Sequence, residues 1–96
     1  MEFKYKKEAN IKIGQQFYGI IGISLTTYDG IYLVVVDEID WNQKIVIFRV
    51  NQLCQYVACK FNDMKCFVFE TEEEAQKRYK EQPFGKGMYD YNEEEF

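Results

Sequence analysis

The stretch that decides the fold is DGIYLVVVDEIDWNQKIVIFRV, residues 29–50. Apolar side chains alternate along it on both sides of a polar segment, which is the period of two that half-buried β-strands show. An Asp-Gly pair before such a run is typical of a two-residue type I′ hairpin turn. A turn at Asp29-Gly30 pairs Tyr28 with Ile31. The stretch therefore predicts two antiparallel hairpins that share its first strand.

This turn also sorts the side chains into two faces, because directly opposed residues lie on the same side of a sheet. The more uniformly apolar face is predicted to be the core face, and it carries Phe17, Ile21, Ile23, Leu25, Tyr32, Val34 and Val36. The second face carries Tyr18, Ile20, Tyr28, Ile31, Leu33 and Val35. Two apolar faces on one sheet need cover, so we expect the second face to be covered by the C-terminal helix, the N-terminal segment or a partner.

The next loop decides on which face Arg49 lies. A two-residue turn would oppose Arg49 to Val36 and place a charge on the core face. A three-residue loop, residues 41–43, opposes Phe48 to Val36 instead. Such loops usually need one residue with a left-handed backbone, which Asn42 tolerates well. We therefore predict the three-residue loop, with Arg49 on the outer face.

A second alternating pair follows at residues 56–61 and 66–70. The polar cluster Asn62-Asp63-Met64-Lys65 separates the two runs and is typical of a turn. This pattern predicts another hairpin, which brings the number of strands to five.

From Thr71 the period changes from two to that of a helix. Thr71 and Glu74 match a capping box, in which each side chain satisfies an exposed donor at the helix start. Acidic residues fill the first turn and basic residues the end, as the helix dipole favours. Pro83 stops the helix. We predict a helix over residues 72–82 that covers the sheet and adds little to the core.

These elements predict a mainly β, α+β fold, either a five-stranded antiparallel curled sheet or a small barrel with one C-terminal helix. The strands are expected near residues 16–28, 31–38, 44–51, 56–61 and 66–70. Their number and spacing resemble the SH3-like small barrel, a likeness of pattern that implies no function. We expect a partly ordered N-terminal segment over residues 1–12, one domain over residues 13–84, and a mobile acidic tail over residues 85–96.

Composition narrows the classes of function. The chain has 96 residues, a net charge of −4 and no histidine. Without histidine most general-base and zinc-ligand chemistry is lost, so we expect no enzymatic activity, no cofactor and no metal. No basic stripe is present to neutralise a phosphate backbone, so binding to duplex nucleic acid is not expected. The longest mostly apolar stretch, residues 17–25, is too short to span a membrane.

The cysteines indicate a compartment. Three cysteines, an odd number with no signal-peptide pattern, are typical of reduced thiols in the cytoplasm. Cysteine commonly behaves as a small buried hydrophobe. We therefore predict no disulfide and mostly buried side chains for Cys54, Cys59 and Cys66.

Residues of the second sheet face and of one hairpin tip are the candidates for binding a partner. An aromatic-rich sheet face can dock a peptide or stack single-stranded bases. The alternative for the same side chains is cross-strand stabilisation or burial beneath the helix. The candidates are Tyr18, Tyr28, Ile31, Leu33 and Trp41.

The leading hypothesis is a non-enzymatic protein-interaction module that binds another protein or a second copy of itself. One alternative is a small acidic inhibitor protein encoded by a phage or mobile element, which mimics nucleic acid through Asp37, Glu38, Asp40 and the tail. Another is a binder of single strands or small ligands through the aromatic face. Salt distinguishes them, because a charge mimic weakens with ionic strength and an apolar contact does not.

Overall fold

The computed structural model describes residues 3–5, 9–22, 30–81 and 87–90. Its strands are β1 (Phe3–Tyr5), β2 (Ala9–Ile11), β3 (Gln16–Ile21), β4 (Gly30–Asp40), β5 (Ile45–Val50), β6 (Gln55–Lys60), β7 (Val68–Phe69) and β8 (Tyr89–Asp90). Its helices are α1 (Met64–Phe67) and α2 (Glu72–Glu81), and 3-10 turns lie at Asn51–Leu53 and Phe61–Asp63. β1 and β2 pair with each other, and the other strands form one sheet in the order β7-β3-β4-β5-β6-β8.

This sheet is antiparallel and curled. The edge of β3 that faces away from β4 pairs with β7. The same strand forms one parallel bridge, between Ile21 and Met88, with the residue that precedes β8. A single bridge brings the two ends of the sheet together without a continuous ladder in the described residues. The curled-sheet form of the predicted fold class is thus confirmed, and the closed barrel is not. Within residues 16–60, the described parts contain no α-helix, as predicted.

The register between β3 and β4 differs from the predicted one. Ile31 pairs with Ile20, whereas a two-residue turn would pair it with Tyr28, eight positions further along. The predicted two-residue turn at Asp29-Gly30 is therefore wrong, because Gly30 itself pairs with Ile21. Residues 23–28 of the first predicted strand, among them Ile23, Leu25 and Tyr28, lie outside the described residues.

The predicted assignment of side chains to the two faces is still correct, because a register shift by an even number of residues leaves every side chain on its side of the sheet. Phe17, Ile21, Val34 and Val36 are buried in the main core as predicted. The Phe17 ring packs edge-on against Phe48, with the ring centres 6.5 Å apart. Burial of Phe17 opposite Val34 sets this register, so tertiary packing overrides the local turn preference of the Asp-Gly pair.

In the pairing of β4 with β5 the predicted neighbours are correct, but the loop length and the regularity of β4 differ from the prediction. Val36 faces Phe48, and Arg49 is exposed on the other face, as predicted. However, the loop comprises the four residues 41–44, and the three-residue loop is wrong. The register shifts at Asp37, where a β-bulge adds one residue to β4. The extra residue in the strand offsets the extra residue in the loop.

The side chain of Asp40 holds this loop. Its Oδ1 accepts hydrogen bonds from the backbone N–H groups of Asn42 and Gln43, both at 3.0 Å. The residue with the left-handed backbone is Lys44, with φ of 58°, and not Asn42. A carboxylate that accepts two successive N–H groups stabilises the turn from its first residue, so the middle of the loop needs no special residue.

The second predicted hairpin is wrong. The 3-10 turn at Phe61–Asp63 and α1 replace the predicted turn and the start of the last strand, and β7 pairs with β3 instead of β6. Met64 and Val68 are both fully buried, four residues apart. A spacing of four fits one turn of a helix as well as two steps of a strand, so the apolar pattern alone does not decide between them.

The predicted C-terminal helix is confirmed as α2. The N–H of Glu74 donates to Thr71 Oγ1 at 3.2 Å, which is the expected cap. Ala75 is the buried residue of this helix, and it packs with Ile20 and Phe69 on the outer face of β3. The helix therefore covers part of the second sheet face.

Three groups of buried side chains hold these elements together. The first is the Ala75 group described above. The second lies on the opposite side of β5 and β6 from the core and comprises Ile45, Ile47 and Ala58. The largest is the main core, which contains Ile11, Phe17, Ile21, Val34, Val36, Val46, Phe48, Val50, Val57, Cys59, Met64, Val68 and Met88.

Candidate functional site

Three of the candidate residues lie together on the second face of β3 and β4. Tyr18 pairs directly with Leu33, and Ile31 is two positions before Leu33 on the same face. Leu33 is 45% exposed, whereas Tyr18 and Ile31 are half-buried. The fourth candidate of this face, Tyr28, lies outside the described residues.

The cover of this face ends before it reaches Leu33. Ile20, Phe69 and Ala75 form the buried group under α2, and Tyr18 and Ile31 pack against its margin. The expectation that the helix covers part of the face is therefore confirmed. The part left open, here named the Leu33 surface, consists of Leu33 and its half-buried neighbours Tyr18, Ile31 and Val35.

The backbone beside the Leu33 surface is paired on one side. β5 pairs with β4 only from Val35 onwards, so the first five residues of β4, up to Val34, have β3 as their strand partner in the described part of the chain. Beyond the end of β5, the 3-10 turn at Asn51–Leu53 lies next to the same edge of β4. An apolar side chain and a one-sided strand edge thus lie next to each other.

Trp41 does not belong to this surface. It is the first residue of the loop after β4, and at about 3.3 Å per residue it lies roughly 25 Å from Leu33 along the strand. Its ring packs edge-on against Phe61, with ring centres 5.6 Å apart and an angle of 77°. The structure therefore separates Trp41 from the other candidates and gives it a packing role at the loop.

Of the three acidic residues around the bulge, Asp37 and Asp40 have partners within the chain, and Glu38 is exposed. Asp37 Oδ1 lies 3.7 Å from an Arg49 guanidinium nitrogen, and Arg49 Nε donates to Asn51 Oδ1 at 2.9 Å. Asp40 caps the loop, as described above. Among the described residues, no three acidic or cysteine side chains converge in a way that could hold a metal ion.

The three cysteines are free and differ in environment. Cys59 is buried as predicted, Cys66 is half-buried, and Cys54 is exposed, so the prediction for Cys54 is wrong. Cys54 ends the 3-10 turn between β5 and β6 with a left-handed backbone, φ 52°, which keeps it at the surface. Burial raises the pKa of the Cys59 thiol, and the nearby carboxylate of Asp63 raises it further. Cys59 therefore stays protonated at neutral pH, which is the unreactive form.

A shallow depression of about 240 Å³ lies at the end of β5, lined by Arg49, Val50, Asn51, Cys54, Gln55 and Tyr56. Sequence reasoning missed it, because it depends on how the turn at Asn51–Leu53 brings the ends of β5 and β6 together. Its one charged group, Arg49, is already engaged by Asp37 and Asn51. The depression thus offers a ligand little beyond a rim of mixed polarity.

The part of β4 that runs beyond β5 is the other feature that sequence reasoning missed. It follows from where β5 ends, and the apolar alternation continues through residues 31–36 without a sign of that end. The sequence does indicate the bulge later in β4, because the core residues Val36 and Ile39 are three positions apart, whereas a regular strand places core residues two positions apart. This spacing is typical of a bulge.

Within the described residues, no helix is long and apolar enough to cross a membrane. No protein-family model matches the chain, and neither the curated proteins nor the solved structures contain a match to it.

Proposed function

We propose that this chain is a non-enzymatic protein-interaction module whose partner docks on the Leu33 surface. The observation that carries the proposal is the 45% exposure of Leu33 beside three half-buried apolar or aromatic neighbours, Tyr18, Ile31 and Val35. Completing the burial of that side chain is worth about 1 kcal/mol. Its neighbours Tyr18, Ile31 and Val35 contribute further area in contact with the same partner.

The strand edge supports the same choice of surface. A partner that pairs with the part of β4 beyond the turn at Asn51–Leu53 gains main-chain hydrogen bonds, while Leu33 supplies the side-chain contact. This combination is how extended peptides and strand edges of other proteins add to a sheet. The occupant expected here is thus a protein segment and not a small molecule.

The acidic-inhibitor alternative receives less support. Asp37 is paired with Arg49, and Asp40 accepts two N–H groups of its own loop. A mimic of nucleic acid needs its carboxylates directed outwards and unpaired, as a row of phosphates is. Binding of single strands is supported less as well, because Trp41 packs edge-on against Phe61 and lies apart from Tyr18.

The substitution Leu33→Asp tests the proposal, with Trp41→Asp as the control. Leu33 is 45% exposed and Trp41 is 37% exposed, but Trp41 lies at the far end of β4, roughly 25 Å from Leu33 along the strand. A carboxylate at the centre of an apolar contact must be desolvated, so Leu33→Asp should lower partner capture about tenfold or more. Trp41→Asp should leave it unchanged.

The measurement is quantitative affinity capture with the wild-type chain and both variants, after circular dichroism shows that all three are folded. Sedimentation of the same three proteins reports whether a second copy is the partner. Equal retention of the same proteins by all three baits, together with equal sedimentation, contradicts the proposal.

A further inference from the structure

Residues 87–90, here named the strap, consist of Gly87, Met88 and β8. They lie in the space between the edges of β3 and β6, here named the slot. The N–H of Met88 donates to the carbonyl of Ile20 at 2.8 Å, and the N–H of Gly22 donates to the carbonyl of Met88 at 3.0 Å. On its other side the strap pairs with β6 through β8. The strap is thus an added strand that fills the gap between two strands of one sheet.

The strap fits its slot because of the side chain of Met88 and because Gly19 and Gly87 have no side chains. Met88 is fully buried in the main core, and its Cε occupies the place where a side chain at Gly19 would begin. A Cβ at Gly87 would lie 2.5 Å from the backbone nitrogen of Gly22 and 2.8 Å from the oxygen of Ile20. The slot therefore selects a glycine followed by a slender apolar side chain.

Few backbone contacts hold the strap. Two residue pairs join it to β6, and one bridge joins it to β3. Segments with little pairing open at lower free energy than the central strands of a sheet. When the strap leaves the slot, the Ile20 carbonyl and the Gly22 N–H lose their hydrogen-bond partners, and the space that the Met88 side chain filled is empty. All three can then accept another strand.

We propose that two copies of this chain exchange straps, so that the strap of each copy fills the slot of the other. The second copy is the favoured occupant because it carries the Gly87-Met88 sequence that already fits in one chain. Exchange replaces each contact within a chain by the same contact between chains, which makes such dimers accessible at low cost. The slot offers main-chain partners and a side-chain pocket, the two features by which an added strand is recognised. This surface is separate from the Leu33 surface, so the inference does not rest on the proposed function.

A mixture of two full-length variants tests the exchange. Gly19→Val blocks its own slot, because the new side chain lies between Val34, whose methyl groups are 3.2 and 3.3 Å from a Cβ at this position, and the place that Met88 occupies. The strap of this variant is intact. Met88→Asp keeps an open slot but has a strap that cannot be anchored in the core. Each variant alone should be monomeric, whereas the mixture should form a one-to-one dimer at about tenfold or more the dimer content of either variant. Sedimentation velocity and native mass spectrometry measure that content.

The control replaces the Gly19→Val chain by the double variant Gly19→Val with Met88→Asp, which has no functional strap and should not pair with Met88→Asp. A mixture that stays monomeric, although both variants keep the wild-type circular dichroism, overturns the proposal. A dimer in the control mixture overturns it as well, because that dimer does not use the strap. If Met88→Asp is unfolded, Gly87→Val replaces it, because a Cβ at position 87 would lie 2.5 Å from the backbone nitrogen of Gly22, and the same two outcomes decide.

Discussion

At the scale of single residues, Asp37 is where β4 changes register. The bulge there allows Val36 and Ile39 to contact the same core although they are three positions apart. Without the extra residue, Ile39 and Phe48 would lie on opposite faces. The ion pair of Asp37 with Arg49 is exposed and adds little to stability, so the bulge is set by the apolar residues on either side of it.

The environments of the cysteines predict their reactivity. Cys54 should react rapidly with a thiol reagent under native conditions, because it is exposed. Cys59 should react more than about tenfold more slowly, since the thiolate is the reactive form and burial both raises the pKa of this thiol and blocks access. Mass spectrometry of the labelled peptides at mildly alkaline pH measures the two rates.

Labelling in denaturant is the control for that experiment, because both thiols should then react at similar rates. Equal native rates at Cys54 and Cys59 would contradict the placement of Cys59 in the core.

At the scale of the element, α2 is the part of the fold that its own sequence specifies most completely. The Thr71 cap, three acidic residues in the first turn and basic residues near the end all favour the same helix. Its packing depends on Ala75, whose small side chain lets the helix approach Ile20 and Phe69 closely. Local preference and tertiary contact agree here, which is why the helix could be predicted.

Removing the cap gives the second prediction at this scale. Thr71→Ala should lower the free energy of unfolding by about 1 kcal/mol, because the N–H of Glu74 loses its acceptor. Thr71→Ser keeps an oxygen in place and should differ little from the wild type. Urea unfolding of the three proteins measures the difference, and an alanine variant as stable as the serine variant would show that the cap contributes nothing.

Other elements could not be predicted, because long-range contacts choose between local alternatives. The apolar spacing of Met64 and Val68 fits both a helix and a strand, and only the pairing of β7 with β3 decides. The Asp-Gly pair favours a short turn, but the core register of Phe17 places Gly30 opposite Ile21 instead. In both cases the deciding partner is distant in the sequence.

At the scale of the whole molecule, the curl of the sheet determines what stays exposed. The sequence predicted the two faces correctly through alternation, and it placed Tyr18, Ile31 and Leu33 together. It could not predict that the cover from α2 ends before Leu33, or that Trp41 packs apart from these residues, because both follow from the three-dimensional course of the chain. The role of these residues in binding, including that of Tyr28, stays a prediction.

The most direct test of the central claim is photo-crosslinking within living cells that express the chain. A photoreactive phenylalanine analogue is placed at position 33 in one protein and at position 41 in another, two positions that are 45% and 37% exposed and lie roughly 25 Å apart along β4. If the Leu33 surface binds a protein, the chain labelled at position 33 should form a discrete crosslinked product that the chain labelled at position 41 lacks. No product at position 33, or the same product from both positions, would contradict the claim.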